Sequence, residues 1–231
     1  MGCSMYRHMH HQRIAALLAR LDPAILAQTE CLFAGGTAIA MQLDEFRRSD
    51  DIDFLCASVA GYRQLRETVF DKGLGALARE RLPVLRDVRA DQYGIRTVLG
   101  DAAHPVKFEI VREARIMLSS STEQLVGVPL LNREDFYAEK LLANADRGRD
   151  SSTLHRDLID LCVMIHRWGP IPPSALRKAR GAYGDSIDRA LQGVAAMLRK
   201  RGTLKRCLDT LDAEAGVQAE VETVLASFSR E

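Results

Sequence analysis

No apolar run in this 231-residue chain approaches the roughly 18 residues of a membrane-crossing helix, which excludes a helical membrane protein. The first residues, MGCSMYRHMHHQR, lack the apolar centre of a secretory signal, and Tyr6 stands where myristoylation needs Ser or Thr. These absences predict a cytoplasmic protein. The five cysteines (Cys3, Cys31, Cys56, Cys162 and Cys207) include no Cys-x-x-Cys pair, and an odd count excludes a fully paired disulfide framework. They read as small core residues in a reducing compartment. Neither sign of charge dominates, since the net charge is +1, so the total charge does not announce a nucleic-acid binder. There is no Gly-Lys-Ser/Thr of a P-loop and no G-x-G-x-x-G. His8, His10 and His11 read as a polar leader rather than a metal site. What the composition does offer is 47% apolar residues, ample for the core of one domain or two small ones.

The informative stretch runs from Phe33 to Leu55, FAGGTAIAMQLDEFRRSDDIDFL. Cys31-Leu32-Phe33-Ala34 reads as a buried strand. Gly35-Gly36 breaks it, and Thr37 leads into Ala38, Ile39, Ala40 and Met41, mostly good helix formers. A strand, a glycine turn and a helix start put free N–H groups and a positive dipole end at one spot, an anion site. After a short link containing Arg48 and Ser49 comes Asp51-Ile52-Asp53, opening a second apolar segment. On a strand, Asp51 and Asp53 share one face while Ile52 and Phe54 point into the core. Two such carboxylates hold hard cations such as Mg²⁺.

Ile14, Leu17, Leu18 and Leu21 follow helical spacing, and Asp22-Pro23 reads as the cap and first-turn proline of a second helix. Tyr62, Leu65, Val69 and Phe70 predict a further helix. Short apolar segments around Val84–Val88, Ile95–Leu99 and Val106–Ile110 predict a β-meander. In the last of these, Lys107 and Glu109 share the face opposite the apolar one. Glu109 completes a three-carboxylate cluster if its strand lies beside that of Asp51 and Asp53; the alternative is an exposed Lys/Glu face. From Leu131 the chain reads as helical, with Phe136, Lys140 and Ala143 on one face. A polar loop, Asp146 to Ser152, follows. Leu154, Leu158, Leu161 and Ile165 then form an apolar stripe beside Asp157 and Asp160, which taken alone reads as an amphipathic helix with solvated aspartates. Gly169-Pro170-Ile171-Pro172-Pro173 is a break. Between Ser174 and Arg206 nine basic residues face only Asp185 and Asp188, an asymmetry that marks either a contact surface or alternately charged, solvated helices.

Gly35-Gly36-Thr37-Ala38 followed by Arg48-Ser49-Asp50-Asp51-Ile52-Asp53-Phe54 resembles the first motif of AbiEii/AbiGii-type nucleotidyltransferase toxins. Glu139-Lys140-Leu141 and Arg156-Asp157-Leu158-Ile159-Asp160 resemble that family's later motifs. The resemblance implies an α/β (α+β) fold, a mixed sheet flanked by helices with a helical C-terminal half. Domains of 1–125 and 126–231 follow, the second closing the active-site cleft. It further implies a toxin of a two-gene toxin–antitoxin system that moves a nucleotide from an NTP to an acceptor such as the 3′ end of tRNA. Asp51, Asp53 and Glu109 would hold two Mg²⁺ ions, and Gly35, Gly36 and Thr37 would cradle phosphates. Arg48, Ser49 and Asp160 would contact the nucleotide. Lys140 would add charge at the triphosphate, with Asp157 orienting it or touching the nucleotide. A cognate antitoxin is the implied protein partner. The rival readings are an antibiotic nucleotidyltransferase acting on an aminoglycoside or lincosamide, and a catalytically silent NTP-binding partner module.

Overall fold

The computed structural model describes residues 6–228, so Cys3 and the initial Met-Gly lie outside the described residues. The chain divides into two compact units. One takes the chain through Met41 together with Ser49–Asn132, and the other takes Gln42–Arg48 and the chain from Arg133 onward.

The first unit opens with α1 (Met9–Leu18), which buries Ile14, Leu17 and Leu18 as their spacing requires. In α2 (Pro23–Gln28) the Asp22 carboxylate accepts from the Ala24 N–H at 2.9 Å and Pro23 fills the first helical position. Next come β1 (Cys31–Ala34), α3 (Gly35–Gln42), β2 (Ile52–Cys56) and α4 (Val59–Lys72). The strands β3 (Arg89–Ala90), β4 (Gly94–Asp101), β5 (His104–Arg112), β6 (Ser120–Leu125) and β7 (Val128–Leu131) complete one seven-stranded sheet in the order β3-β4-β5-β2-β1-β7-β6. β2–β5 and β1–β7 are parallel and the other pairs antiparallel, which is the mixed sheet with helices that the sequence predicts. Along β2, Ile52, Phe54 and Cys56 are fully buried while Asp53 and Leu55 lie on the more open face. Phe33, Phe54 and Phe108 tie β1, β2 and β5 together, with ring centroids 5.5 and 5.9 Å apart.

Three local expectations are corrected. The helix after the glycines begins at Gly35 itself, because Gly35 at φ 75° turns the chain within one residue of the strand end. The segment Val84–Val88 is not a strand; Val84 makes a single bridge to Leu99, and the Val84 and Leu85 side chains are 44% and 40% exposed. Strands β6 and β7, absent from the sequence reading, add the far edge of the sheet.

The second unit is helical: α5 (Arg133–Arg147), α6 (Arg156–Trp168), α7 (Pro173–Tyr183), α8 (Ser186–Leu198), α9 (Thr203–Thr210) and α10 (Val217–Ser227). Helix α6 is buried continuously from Asp157 to Met164, so its aspartates are not solvated. The segment Gln42–Arg48 is anchored to these helices at several points. The Arg167 guanidinium donates to the Leu43 carbonyl at 2.7 Å, the Arg48 N–H to Leu211 O at 3.0 Å, and the Glu214 N–H to Phe46 O at 2.9 Å. Among the described residues no helix is long and apolar enough to cross a membrane.

Candidate active site

The first unit brings the glycine turn and the strand carboxylates together. Antiparallel pairing sets Ala34 opposite Asp53, and the next residue, Gly35, lies against the Asp53 side chain. A Cβ on Gly35 would sit 2.5 Å from Asp53 Oδ2 and 2.8 Å from its Cβ, so only glycine fits. The carboxylate of Asp53 is thus seated at the start of α3, where first-turn N–H groups and the helix dipole favour negative charge. Parallel pairing of β2 with β5 makes Asp53 the register partner of Glu109, on one face of the sheet. Asp51 immediately precedes β2 and is half-buried. Thr37 is fully buried, and its hydroxyl donates to Ser49 Oγ at 2.8 Å, tying the glycine turn to the link before Asp51.

Asp51 and Glu109 line a cavity of about 880 Å³ together with Arg86, Arg89, Arg96 and Lys107. Glu109 Oε1 accepts from Arg96 Nε at 3.1 Å and Oε2 from Lys107 Nζ at 2.8 Å. Both oxygens of Glu109 therefore face cations. Among the described residues no group of three or more His, Cys, Asp or Glu side chains is arranged to hold a metal ion. The condition the sequence sets for Glu109 is met, since β5 lies beside β2 with Glu109 in register with Asp53. The donor set still suits Mg²⁺, which is bound through one or two carboxylates plus substrate phosphates rather than in an all-protein cage. Asp51 and Asp53 are the carboxylates that fit. The cation-rich wall suits a polyphosphate.

The second unit holds a buried charge cluster. Lys140 Nζ lies 3.0 Å from Asp157 Oδ1 and 2.6 Å from Asp160 Oδ2, so both aspartates meet the lysine. Arg47, 3% exposed, binds Asp160 through Nε and Nη2 at 2.6 and 2.8 Å, a two-point clamp. Arg147 clasps Asp157 likewise, with Nε 2.7 Å from Oδ2 and Nη2 3.0 Å from Oδ1. Burial alone would raise both carboxyls. For Asp157 the Lys140 charge and the Arg147 hydrogen bonds outweigh it, and for Asp160 the Arg47 and Lys140 charges do, so both are held below the usual carboxylate range.

Sequence reasoning brought Lys140, Asp157 and Asp160 forward but missed Arg47 and Arg147. Arg147 sits in the predicted polar loop, which α5 in fact overruns. Arg47 pairs with a residue 113 positions away, and nothing local in Phe46-Arg47-Arg48 distinguishes it from its exposed neighbour. The backbone around both halves of the cluster is unusual. Asp44 and Glu45 (φ 53° and 54°) precede Arg47, and Leu154 and His155 (φ 56° and 50°) precede α6, all four in the left-handed region that costs L-residues about 1–2 kcal/mol each.

The chain matches the family described as "Nucleotidyl transferase AbiEii toxin, Type IV TA system" over residues 16–227. No curated protein matches it. Among solved structures it is similar to JHP933 from Helicobacter pylori, at 15% identity, covering 97% of this chain and 95% of that one with a TM-score of 0.49. A second H. pylori protein is similar at 16% identity and TM-score 0.48, covering 96% and 95% of the two chains. An antigenic nucleotidyltransferase-like protein from Paracoccidioides brasiliensis is similar at 13% identity and TM-score 0.42, covering 88% and 94%.

Proposed function

Because the chain belongs to the AbiEii nucleotidyltransferase toxin family of type IV toxin–antitoxin systems, we propose that it transfers a nucleotide from an NTP to an RNA acceptor such as the 3′ end of tRNA. The reaction is Mg²⁺-dependent and releases pyrophosphate. A cognate antitoxin restrains it.

The observation that carries this reading is the seat of Asp53 on Gly35 at the start of α3, in register with Glu109. In this reading the α3 N-terminus takes phosphate oxygens of the NTP, with Gly36 and Ser49 beside them, as helix N-termini do for anions. Arg86, Arg89, Arg96 and Lys107 counter the remaining triphosphate charge from the cavity wall. Asp51 and Asp53 would hold the metal, and Mg²⁺ there would supply charge neutralisation at the phosphoryl oxygens and a more acidic attacking hydroxyl. Asp51 accepts the hydroxyl proton. Glu109 keeps Arg96 and Lys107 aimed at the cavity. Lys140, held by Asp157 and Asp160, is the residue this reading assigns as a source of fixed positive charge, and preorganised charge of this kind contributes about 3–4 kcal/mol to rate in other enzymes. Arg48, which is exposed, is a further residue that this reading assigns to nucleotide binding.

The test is incubation with Mg²⁺ and each radiolabelled NTP, with and without total tRNA. Label should appear in tRNA for the native protein and be lost with chelator. Label entering only a small-molecule acceptor, or no label transferred from any NTP, would overturn the reading.

A further inference from the structure

The nine basic residues between Ser174 and Arg206 divide by what they do in the fold. Lys178 lies 2.5 Å from Asp135, Arg180 is 2.8 Å from Asp188, and Lys205 is 3.0 Å from Asp209. Arg199 donates to the Leu225 carbonyl. Those four are committed to the fold. Among the described residues Arg177, Arg189, Lys200, Arg201 and Arg206 carry no ion pair, and all five are exposed. The charge asymmetry of the sequence is therefore not a uniform ridge. Its unpaired part is densest at the turn between α8 and α9.

That turn borders a cavity of about 370 Å³ whose lining includes Arg199, Lys200, Arg201 and Lys205. The same cavity is also lined by Leu198, Leu204 and Leu225 and by Gln218 and Glu222. Helix α9 begins here with Gly202 at its N-cap, φ 75°, so no side chain caps its first N–H groups. A free anion would have no use for the leucines, and an apolar ligand none for the unpaired Lys200 and Arg201. A nucleotide unit would use both, its base against the leucines and its phosphates on the two cations. The volume lies within the range of small-ligand sites, about 300–1,000 Å³.

We propose that this cavity binds one nucleotide of a single-stranded phosphodiester chain, with Lys200 and Arg201 on its phosphates. The proposal rests on the transferase reading in that it gives the acceptor strand a surface on the helical unit. Phosphate contacts of this kind position a strand without reading its sequence.

The test measures binding of fluorescent tRNA, single-stranded RNA and single-stranded DNA to the full chain over a salt series. The Lys200→Ala/Arg201→Ala double variant should lower the slope of log affinity against log salt by about 1.4 for a single strand, about 0.7 per phosphate lost. An Arg177→Ala/Arg189→Ala variant makes the same change in net charge away from the cavity and should leave the slope nearly native. Binding of either RNA or DNA through Lys200 and Arg201 supports the site. Equal losses in the two double variants would overturn it, since only net charge would then matter. Unchanged strand binding with loss of inhibition by the antitoxin would overturn it in favour of a protein contact. Binding is read without catalysis, and an Asp51→Ala protein should bind strands like the native one. Absence of nucleotidyl transfer in the native protein would instead remove the transferase reading alone.

Discussion

Replacing Gly35 by alanine separates backbone strain from damage to the site. Gly35 has φ 75°, and so, within a degree, does Gly73, at 74°. A Cβ at Gly73 meets nothing within 4 Å, whereas at Gly35 it meets Asp53 Oδ2 at 2.5 Å. Both variants incur the penalty of a positive φ, about 1–2 kcal/mol at Gly35 and about 1–3 kcal/mol at Gly73, whose ψ of 170° lies in a region essentially reserved for glycine. Only Gly35→Ala must also displace Asp53. Reaching ordinary contact at 3.4 Å from 2.5 Å needs a shift of about 0.9 Å. Overpacking of that kind costs about 1–3 kcal/mol more. Gly35→Ala should therefore destabilise by about 2–5 kcal/mol and Gly73→Ala by about 1–3 kcal/mol, measured by urea unfolding, so that activity rather than stability separates the two. In the transfer assay a misplacement near 1 Å costs about 10²-fold. Gly35→Ala should lose activity on that scale at temperatures where it stays folded, while Gly73→Ala keeps native turnover. Native transfer by Gly35→Ala, or equal activity losses in the two variants, would refute the claim that Gly35 seats a functional carboxylate.

Asp51→Ala and Asp53→Ala should each abolish nucleotide transfer with an unchanged circular dichroism spectrum; full activity in either would remove that residue from the metal-holding pair. Arg47→Met should destabilise by about 3–5 kcal/mol, because Asp160 is fully buried and loses its two-point partner. Arg47→Lys keeps the charge but not the planar fork, so it should recover only part of that loss, and full recovery would show that the two-point geometry is immaterial. The folded-state carboxyls of Asp157 and Asp160 are depressed, so the stability they contribute is complete above their unfolded value, about 3.9, and is lost as pH falls below it. Thermal scans should show Tm level from pH 7 to 5 and falling steeply below pH 4, with a shallower fall in Asp160→Asn; identical acid slopes in the two proteins would contradict the assignment.

Much of the sheet unit was legible because its signals are local. Asp22-Pro23 caps α2 as read, and the alternation in Ile52–Cys56 and Val106–Ile110 assigned the buried faces of β2 and β5. The missed strands lacked such signals. Residues Ser120–Leu125 are almost wholly polar, as an edge strand tolerates, and β7 carries Pro129, which demotes a run in any propensity argument. Val84 and Leu85 were over-read because apolar residues at a surface carry the same letters as those in a core. In the helical unit the motif residues were visible and their burial was not. Asp157 and Asp160 sit in the interior because Arg47, Lys140 and Arg147 converge on them from distant positions, and no window of sequence contains that set.

The excursion of Gln42–Arg48 has a consequence for how this chain is inherited and cut. The polypeptide passes between its two units at Met41–Gln42, Arg48–Ser49 and Asn132–Arg133, three times rather than once. Severing the chain after Asn132 would leave a sheet fragment carrying Arg47 without Asp160, and a helical fragment carrying Asp160 without Arg47. A protease nick there should consequently yield two pieces that stay together on a native gel and part only in denaturant. For the same reason neither unit can be shuffled into another gene as a cassette without stranding one half of a buried ion pair.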